Sequence, residues 1–124
     1  MKIFILLGSL SALLGVALGA FGAHGLKGRV SPDLLAVWQT GVQYHLIHAL
    51  GLLLVGILSR MMPESALLGY AGWSLLAGTL LFSGSLYVLV LSDVRAYGMI
   101  TPLGGLAFLA GWLLLAVAAW QHAS

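Results

Sequence analysis

The chain has 124 residues, of which 61% are hydrophobic and only 6% are charged. Soluble domains carry roughly 25% charged residues, so this composition excludes a water-soluble globular protein and predicts a membrane protein. The absence of cysteine excludes disulfides and thiolate chemistry, and five scattered basic residues form no patch for a nucleic-acid partner.

The positions of the charges divide the chain into uncharged segments. Charges occur at Lys2, in the stretch 27–33, at Arg60 and Glu64, and in the stretch 93–95. Each segment between them exceeds the ~20 residues that a transmembrane helix needs. We therefore predict an all-α fold, an integral membrane four-helix bundle that is antiparallel and forms a single domain over 1–124. The predicted helices are about 3–22, 32–61, 65–91 and 102–121.

The first predicted helix carries a row of small residues. Gly15 and Gly19 form a GxxxG motif, which lets two helix backbones approach closely where lipid supplies no hydrophobic drive. The apolar run after Lys2 imitates a signal peptide, but it is longer than the usual one and we expect a retained helix. The glycines that we expect to pack from this helix are Gly8, Gly15, Gly19 and Gly22.

The second predicted helix begins with a strong start signal, Ser31-Pro32-Asp33. Serine caps free amides, proline suits the first helical position, and an acidic residue favours the positive end of the helix dipole. The segment 34–42 that follows is amphipathic, so we predict an amphipathic extension at the start of this helix. Trp38 and Tyr44 have the character of interfacial aromatics.

Small polar residues and further glycines mark the third and fourth predicted helices. Serine and threonine in membrane helices usually bond to a neighbouring helix or to their own carbonyls. Thr101-Pro102 repeats the start signal of the second helix, with Thr101 as the expected cap. Trp112 and Trp120 are expected at lipid-facing or end positions. The glycines expected to pack from the fourth helix are Gly104, Gly105 and Gly111.

Histidines make one end of the second helix polar. His45 and His48 are three residues apart, on adjacent faces of one turn, and His24 ends the first helix on the same side of the membrane. Three imidazoles at one level are able to ligate a metal or haem, or to relay protons. The alternative is that they bond to neighbouring helices. The predicted polar cluster near one membrane face comprises His24, Tyr44, His45, His48, Ser83, Ser85, Tyr87 and Thr101.

The sequence shows no other motif for catalysis or ligand binding. The sequence has no nucleophile elbow, no phosphate-binding loop and no carboxylate within the uncharged membrane-spanning segments. A zinc site would need a further ligand beside the histidines. We therefore assign no catalytic residue, no metal ligand and no cofactor, and we favour a non-enzymatic role while keeping a membrane enzyme as an alternative.

Four strings resemble one known family. They are Gly19 to Leu26, Tyr44 to Leu50, Phe82 to Tyr87, and Ile100 to Gly105, in that order. They resemble the family named domain of unknown function 423, small inner-membrane proteins of the YgdD type that are similar also to the eukaryotic transmembrane protein 256 type. The resemblance covers essentially the whole chain. It implies a small four-helix, multi-pass protein of the cell inner (plasma) membrane and brings no established activity or ligand.

Three functional interpretations follow. The first is a structural, assembly or accessory component in the lipid bilayer, self-associated through glycine-rich faces or joined to a membrane protein partner. The second is a small transport or proton-conducting protein in which the histidines line a polar vestibule. The third is a membrane enzyme, or a haem- or metal-binding protein, that uses the same histidines with Ser83, Ser85 and Tyr87.

Overall fold

The computed structural model describes residues 2–123 of the chain. A π-helical turn, Gly22–Leu26, extends the first α-helix, and a second one, Thr79–Ser83, joins the third α-helix to the fourth. A 3-10 helix, Arg95–Met99, leads into the last α-helix. The five α-helices are α1 (Lys2–Phe21), α2 (Pro32–Met61), α3 (Ala66–Gly78), α4 (Gly84–Ser92) and α5 (Thr101–Ala123).

These helices make four spans that are long and apolar enough to cross a membrane. The third span consists of α3, its π turn and α4, and the four spans are Lys2–Leu26, Pro32–Met61, Ala66–Ser92 and Arg95–His122. A helix of 25 residues is about 38 Å long, which exceeds the ~30 Å hydrocarbon layer. The predicted all-α, membrane-spanning bundle is thus confirmed.

The second and third spans form the centre of the bundle. In their most apolar stretches, 50% and 44% of the residues are buried, against 17% in the first span and 22% in the fourth. The first span packs along α2, and α5 packs along α3 and the π turn that follows it. Phe4 also reaches from α1 to α3, where its ring lies 5.1 Å from the ring of Trp73. The outer helices therefore face lipid over most of their surface.

The buried apolar residues form two clusters. The larger one lies toward the turn between α2 and α3 and includes Phe4, Leu52 and Leu75. The smaller one lies toward the opposite end and includes Leu26, Trp38 and Leu89. Most of the buried polar side chains lie between these clusters, and they are described below.

The start of α2 is explained by its local sequence. The Ser31 hydroxyl accepts a hydrogen bond from the Leu34 amide at 3.2 Å, and Pro32 occupies the first turn. The predicted cap is therefore confirmed. The predicted cap at Thr101 is wrong, because α5 already includes Thr101 and the 3-10 helix before it leads directly into α5.

The amphipathic start of α2 is packed inside the bundle. Leu34 and Trp38 lie in the smaller apolar cluster with Leu26, Leu89 and Val90. Trp38 is 1% exposed, so its predicted interfacial position is wrong. The reason is that α1 and α4 reach the same level as this part of α2 and cover its apolar face.

The third span departs from regular α-helix at its middle. The Gly84 amide bonds to the Thr79 carbonyl, five residues back, which defines the π turn. The Thr79 hydroxyl bonds back to the Leu75 carbonyl at 2.9 Å. Side-chain hydroxyls often satisfy carbonyls where a membrane helix departs from α geometry. The sequence prediction of one regular helix over about 65–91 missed this turn.

Candidate functional site: a polar layer inside the bundle

His45 joins three helices. Its Nδ1 lies 2.9 Å from the Tyr87 hydroxyl on α4, and the Ser11 backbone on α1 faces the same ring. His45 is itself buried, at 4% exposure. Its Nδ1 is therefore engaged in a contact between helices, and the ring also lies beside α1.

His48 joins α2 to α5. Its Nδ1 lies 2.7 Å from the Tyr44 carbonyl, so Nδ1 carries the proton and donates it. Its Nε2 then accepts a hydrogen bond from the Trp112 indole at 2.9 Å. The ring also stacks on Phe108 with a centroid separation of 3.5 Å. This imidazole is held in one tautomer and one orientation.

Hydroxyl groups complete the polar layer. The Ser83 hydroxyl donates to the Gly41 carbonyl at 2.7 Å, which links the π turn to α2. The Ser85 and Thr101 hydroxyls are 2.6 Å apart, which links α4 to α5. We call these contacts, with the His45–Tyr87 and His48–Trp112 pairs, the polar layer.

The predicted cluster does not converge on one pocket. His24 is exposed, and its Nδ1 lies 3.0 Å from the Ala20 carbonyl of its own helix. It therefore lies apart from His45 and His48, because the π turn that carries it ends the first span well above their level. Of the other predicted residues, Tyr44 and His48 both line the groove between α2 and α5. The rest bond to different partners: His45 to Tyr87, Ser85 to Thr101, and Ser83 to the Gly41 carbonyl.

The two histidines lie on the central part of α2. His48 lies 16 residues after Pro32 in a helix of 30 residues, which places it about 24 Å along α2. The prediction that the cluster lies near one membrane face rested on the expectation that α2 begins before the hydrocarbon layer does. In the structure the first turns of α2 are packed against α1 and α4, and His48 lies near the middle of the second span.

Most of the predicted packing glycines lie where another helix comes close. A Cβ added at Gly8 would lie 2.9 Å from the Leu53 amide nitrogen, and one at Gly104 would lie 2.7 Å from the Phe82 Cα. Gly15, Gly19, Gly22 and Gly111 similarly face side chains of α2 or α3. Gly105 is the exception. A Cβ there would have no neighbour within 4 Å, because Gly105 faces a groove.

Two tryptophans of the site were assigned wrongly from the sequence. Trp112 was expected to face lipid, yet it donates to His48, and Trp38 donates to the Leu18 carbonyl at 2.9 Å. Tryptophan inside a membrane protein needs an acceptor for its indole N–H. The signal that was available is the spacing of Gly104, Phe108 and Trp112, which places all three on one face of α5.

Two grooves run along the sides of α2. The α2–α5 groove has a volume of about 820 Å³ and its walls include Gln43, Tyr44, Phe108 and Trp112. The groove between α1 and the third span measures about 400 Å³, and His45 lies at its floor. Each groove therefore ends at one histidine of the polar layer.

The buried polar groups of the described residues are paired with one another. Within residues 2–123, every buried side-chain nitrogen and oxygen has a hydrogen-bond partner. Across the same part of the chain, no three His, Cys, Asp or Glu side chains converge as metal ligands would. The polar layer thus links the helices through paired groups.

Comparisons with known proteins agree with the membrane architecture. A family model described as "Protein of unknown function (DUF423)" matches residues 18–105. The UPF0382 membrane protein YwdK of Bacillus subtilis is 52% identical over 122 residues, which cover 98% of this chain and 99% of that protein. A UPF0382 membrane protein of Staphylococcus aureus is 46% identical over 123 residues, 99% of each chain. No solved structure matches the chain.

Proposed function

Since this chain belongs to the DUF423 protein family, whose matched relatives are named as membrane proteins, we propose that it is a non-enzymatic accessory component of the cell inner (plasma) membrane. Its role is to support the structure or assembly of a membrane complex, with a second copy or another membrane protein as the partner. Membership of the family does not specify this role. The polar layer is the observation that supports it.

The engaged state of both central histidines carries the proposal. A metal or haem ligand must offer a free ring nitrogen, and a proton relay needs a ring that can gain and lose protons along a wet path. The ring nitrogens of His48 are committed to the Tyr44 carbonyl and the Trp112 indole. Nδ1 of His45 is committed in the same manner to the Tyr87 hydroxyl.

The proton-conducting alternative is tested by flux. Proteoliposomes are prepared with wild type, with the double variant His45→Leu/Tyr87→Phe, and without protein, and a pH-sensitive dye reports proton entry under a potassium-diffusion potential. We expect the same flux in all three. Flux in wild type above both other samples would refute the accessory role and support conduction through the polar layer.

The accessory role also has a positive test. A tagged chain, expressed at its native level and extracted in a mild detergent, is analysed by native mass spectrometry. We expect a defined assembly in which this chain and a second membrane subunit, or further copies of itself, occur in fixed ratio. A monomer accompanied only by lipid would contradict the proposal.

A further inference from the structure

One face of α2 is left uncovered by the other helices, although α2 is central in the bundle. Its apolar side chains on this face are between 42% and 62% exposed. They recur every three or four residues together with an exposed glutamine, so they form a single row on one side of the helix. We call this row, which consists of Gln43, Ile47, Leu50, Leu54 and Ile57, the α2 ridge.

Gln43 brings a polar group into the hydrocarbon layer. It lies five residues before His48, which is near the middle of the second span, so it is about 8 Å from the membrane centre. Half of the hydrocarbon layer is about 15 Å thick, so Gln43 lies well inside it. Its exposed carboxamide has no hydrogen-bond partner among residues 2–123, whereas the nearby Thr40 hydroxyl bonds back to the Ala36 carbonyl. Lipid tails offer neither donor nor acceptor, so this carboxamide requires a partner from outside the chain.

The geometry of insertion favours a second copy of the chain as that partner. All copies insert into the membrane with the same orientation, so Gln43 of two copies lies at the same depth. A twofold axis along the membrane normal brings the same surface of both copies together. A carboxamide has both a donor and an acceptor, so two of them satisfy each other.

The shape of this surface is also self-complementary. The α2 ridge runs beside the α2–α5 groove, and Gln43 and Ile47 belong to both. When a twofold axis passes between a ridge and a parallel groove, the ridge of each copy enters the groove of the other. Leu106 and Leu109 on the far wall of the groove present apolar surface to such a ridge.

The glycines of α1 do not offer a competing interface. A Cβ at Gly15 would lie 2.6 Å from the Leu46 side chain, and one at Gly19 would lie 3.2 Å from the Val42 side chain. Both neighbours belong to α2 of the same chain. The GxxxG motif is therefore used within the protein and is not available to a second copy.

We propose that the α2 ridge is the interface between two copies of this chain, with the two Gln43 carboxamides hydrogen-bonded to each other across a twofold axis. The apolar part of the ridge supplies contact area, and the Gln43 pair fixes the register, as a polar residue does in a coiled coil. This inference deepens the accessory role and rests on it, since it names a second copy as the partner.

The partner is identified by photo-cross-linking in native membranes. Leu50→benzoylphenylalanine places the probe on the α2 ridge, and Leu13→benzoylphenylalanine places it on α1 as the control, at a residue 70% exposed. We expect the Leu50 probe to yield a covalent dimer of the chain, identified by mass spectrometry, and the Leu13 probe to yield lipid adducts.

The contribution of Gln43 is measured by energy transfer between labelled copies in phosphatidylcholine liposomes, over a series of protein-to-lipid ratios. We expect Gln43→Leu to raise the Kd of the dimer about tenfold, because the mutual hydrogen bonds are lost. Gln43→Asn keeps the carboxamide and should stay within about threefold of wild type. Gln39→Leu is the matched control at the edge of the hydrocarbon layer, and it should change the Kd by less than about twofold.

The possible failures are distinguishable. A Kd that is the same in Gln43→Leu as in wild type would overturn the proposal, and so would a Leu50 adduct with lipid only. An adduct with a different membrane protein would also overturn it but would leave the accessory role intact. The accessory role itself fails if native mass spectrometry finds a monomer accompanied only by lipid. Thermal unfolding of each variant in detergent confirms that the compared proteins are folded.

Discussion

Hydrogen bonds between membrane helices are individually modest. Measured values average about 0.6 kcal/mol and reach about 1.7 kcal/mol, because the separated helices also find partners in the membrane. The polar layer makes several such bonds, and each joins a different pair of elements. The polar layer therefore fixes the register and orientation of the helices more than it raises the stability of the bundle.

The Tyr87–His45 bond allows a minimal test at the residue scale. Tyr87→Phe removes only the hydroxyl that lies 2.9 Å from Nδ1 of His45. We expect the free energy of unfolding to fall by about 1 kcal/mol, since a buried imidazole nitrogen loses its partner. Tyr70→Phe is the matched control, because Tyr70 is 64% exposed. Unfolding in mixed micelles measures both, and equal losses would contradict the structural role of the bond.

Trp38 allows a second test. Trp38→Phe keeps an aromatic ring but removes the indole donor to the Leu18 carbonyl. We expect a loss of about 2 kcal/mol in unfolding free energy from the lost bond and the smaller ring at a site that is 1% exposed. Trp120→Phe, at a residue 82% exposed, should leave the unfolding free energy unchanged within about 0.5 kcal/mol. A similar effect of the two changes would refute the buried role of Trp38.

The sequence identified several polar residues of the layer but not their partners. His45, His48 and Ser83 stand out because polar groups are uncommon in long apolar segments. Trp112 lies 64 residues from His48, and helical periodicity relates positions only within one helix. The pairing of side chains depends on which helices are neighbours, and that order is not encoded in any local pattern.

Close contact between helices can be tested with two adjacent glycines of α5. Gly104 faces the backbone of Phe82, whereas Gly105 faces the open groove. We expect Gly104→Ala to destabilise the protein by about 2 kcal/mol, because the two helices must move apart. Gly105→Ala should be neutral or stabilising by up to about 1 kcal/mol from helix propensity.

The measurement for this pair is again unfolding in mixed micelles. Because the two substitutions are identical in chemistry and neighbours in sequence, the difference between them reports the packing alone. A Gly104→Ala protein as stable as Gly105→Ala would show that α5 does not approach the π turn closely.

At the scale of elements, the spacing of the charges was sufficient to predict four spans. Arg60 and Glu64 mark the turn between α2 and α3, and Asp93 and Arg95 mark the connection to α5. The π turns were not predictable in the same manner. Serine and threonine also occur in regular membrane helices, and the bond that ties this turn to another helix, from the Ser83 hydroxyl to the Gly41 carbonyl, cannot be read from a local pattern.

At the scale of the whole molecule, one contact ties the far end of α5 to the turn between α2 and α3. The Glu64 carboxylate lies 3.0 Å from Nδ1 of His122. Its own backbone amide, followed by the hydrogen bond from His122, lowers the pKa of Glu64 below its ordinary value of 4.5. Both groups are exposed, so the contact makes a small contribution to overall stability.

This contact predicts a specific dependence on pH. Because the folded pKa of Glu64 is depressed, its contribution is complete above pH 4.5 and is lost as the pH falls through the lower, folded value. We expect thermal stability in detergent to decrease over that range in wild type, and to decrease less in Glu64→Gln. Asp93→Asn is the control and should follow wild type. If Glu64→Gln shows the full decrease, the contact makes no contribution.

The arrangement of the spans was only partly encoded in composition. The central α2 is the least apolar of the four spans and the peripheral α1 the most apolar, but composition does not say which helices are neighbours. In the structure, α2 differs from α1 because it is buried on two sides, with His45 on one side and His48 on the other. Both sides of α2 are buried because it contacts three neighbouring helices. Which helices become its neighbours depends on how well the shapes of their surfaces fit together.

The π turn of Thr79–Ser83 has a consequence for how the sequence can change. A π turn holds one residue more than regular helix needs, and each residue of a helix rotates its face by about 100°. Deletion of one residue in this turn would therefore restore regular helix and leave the residues beyond it, Tyr87 among them, facing α2. The centre of the third span is thus the place within the spans where a deletion of one residue is tolerated best, and alignment gaps among relatives should fall there or in the connection 92–95.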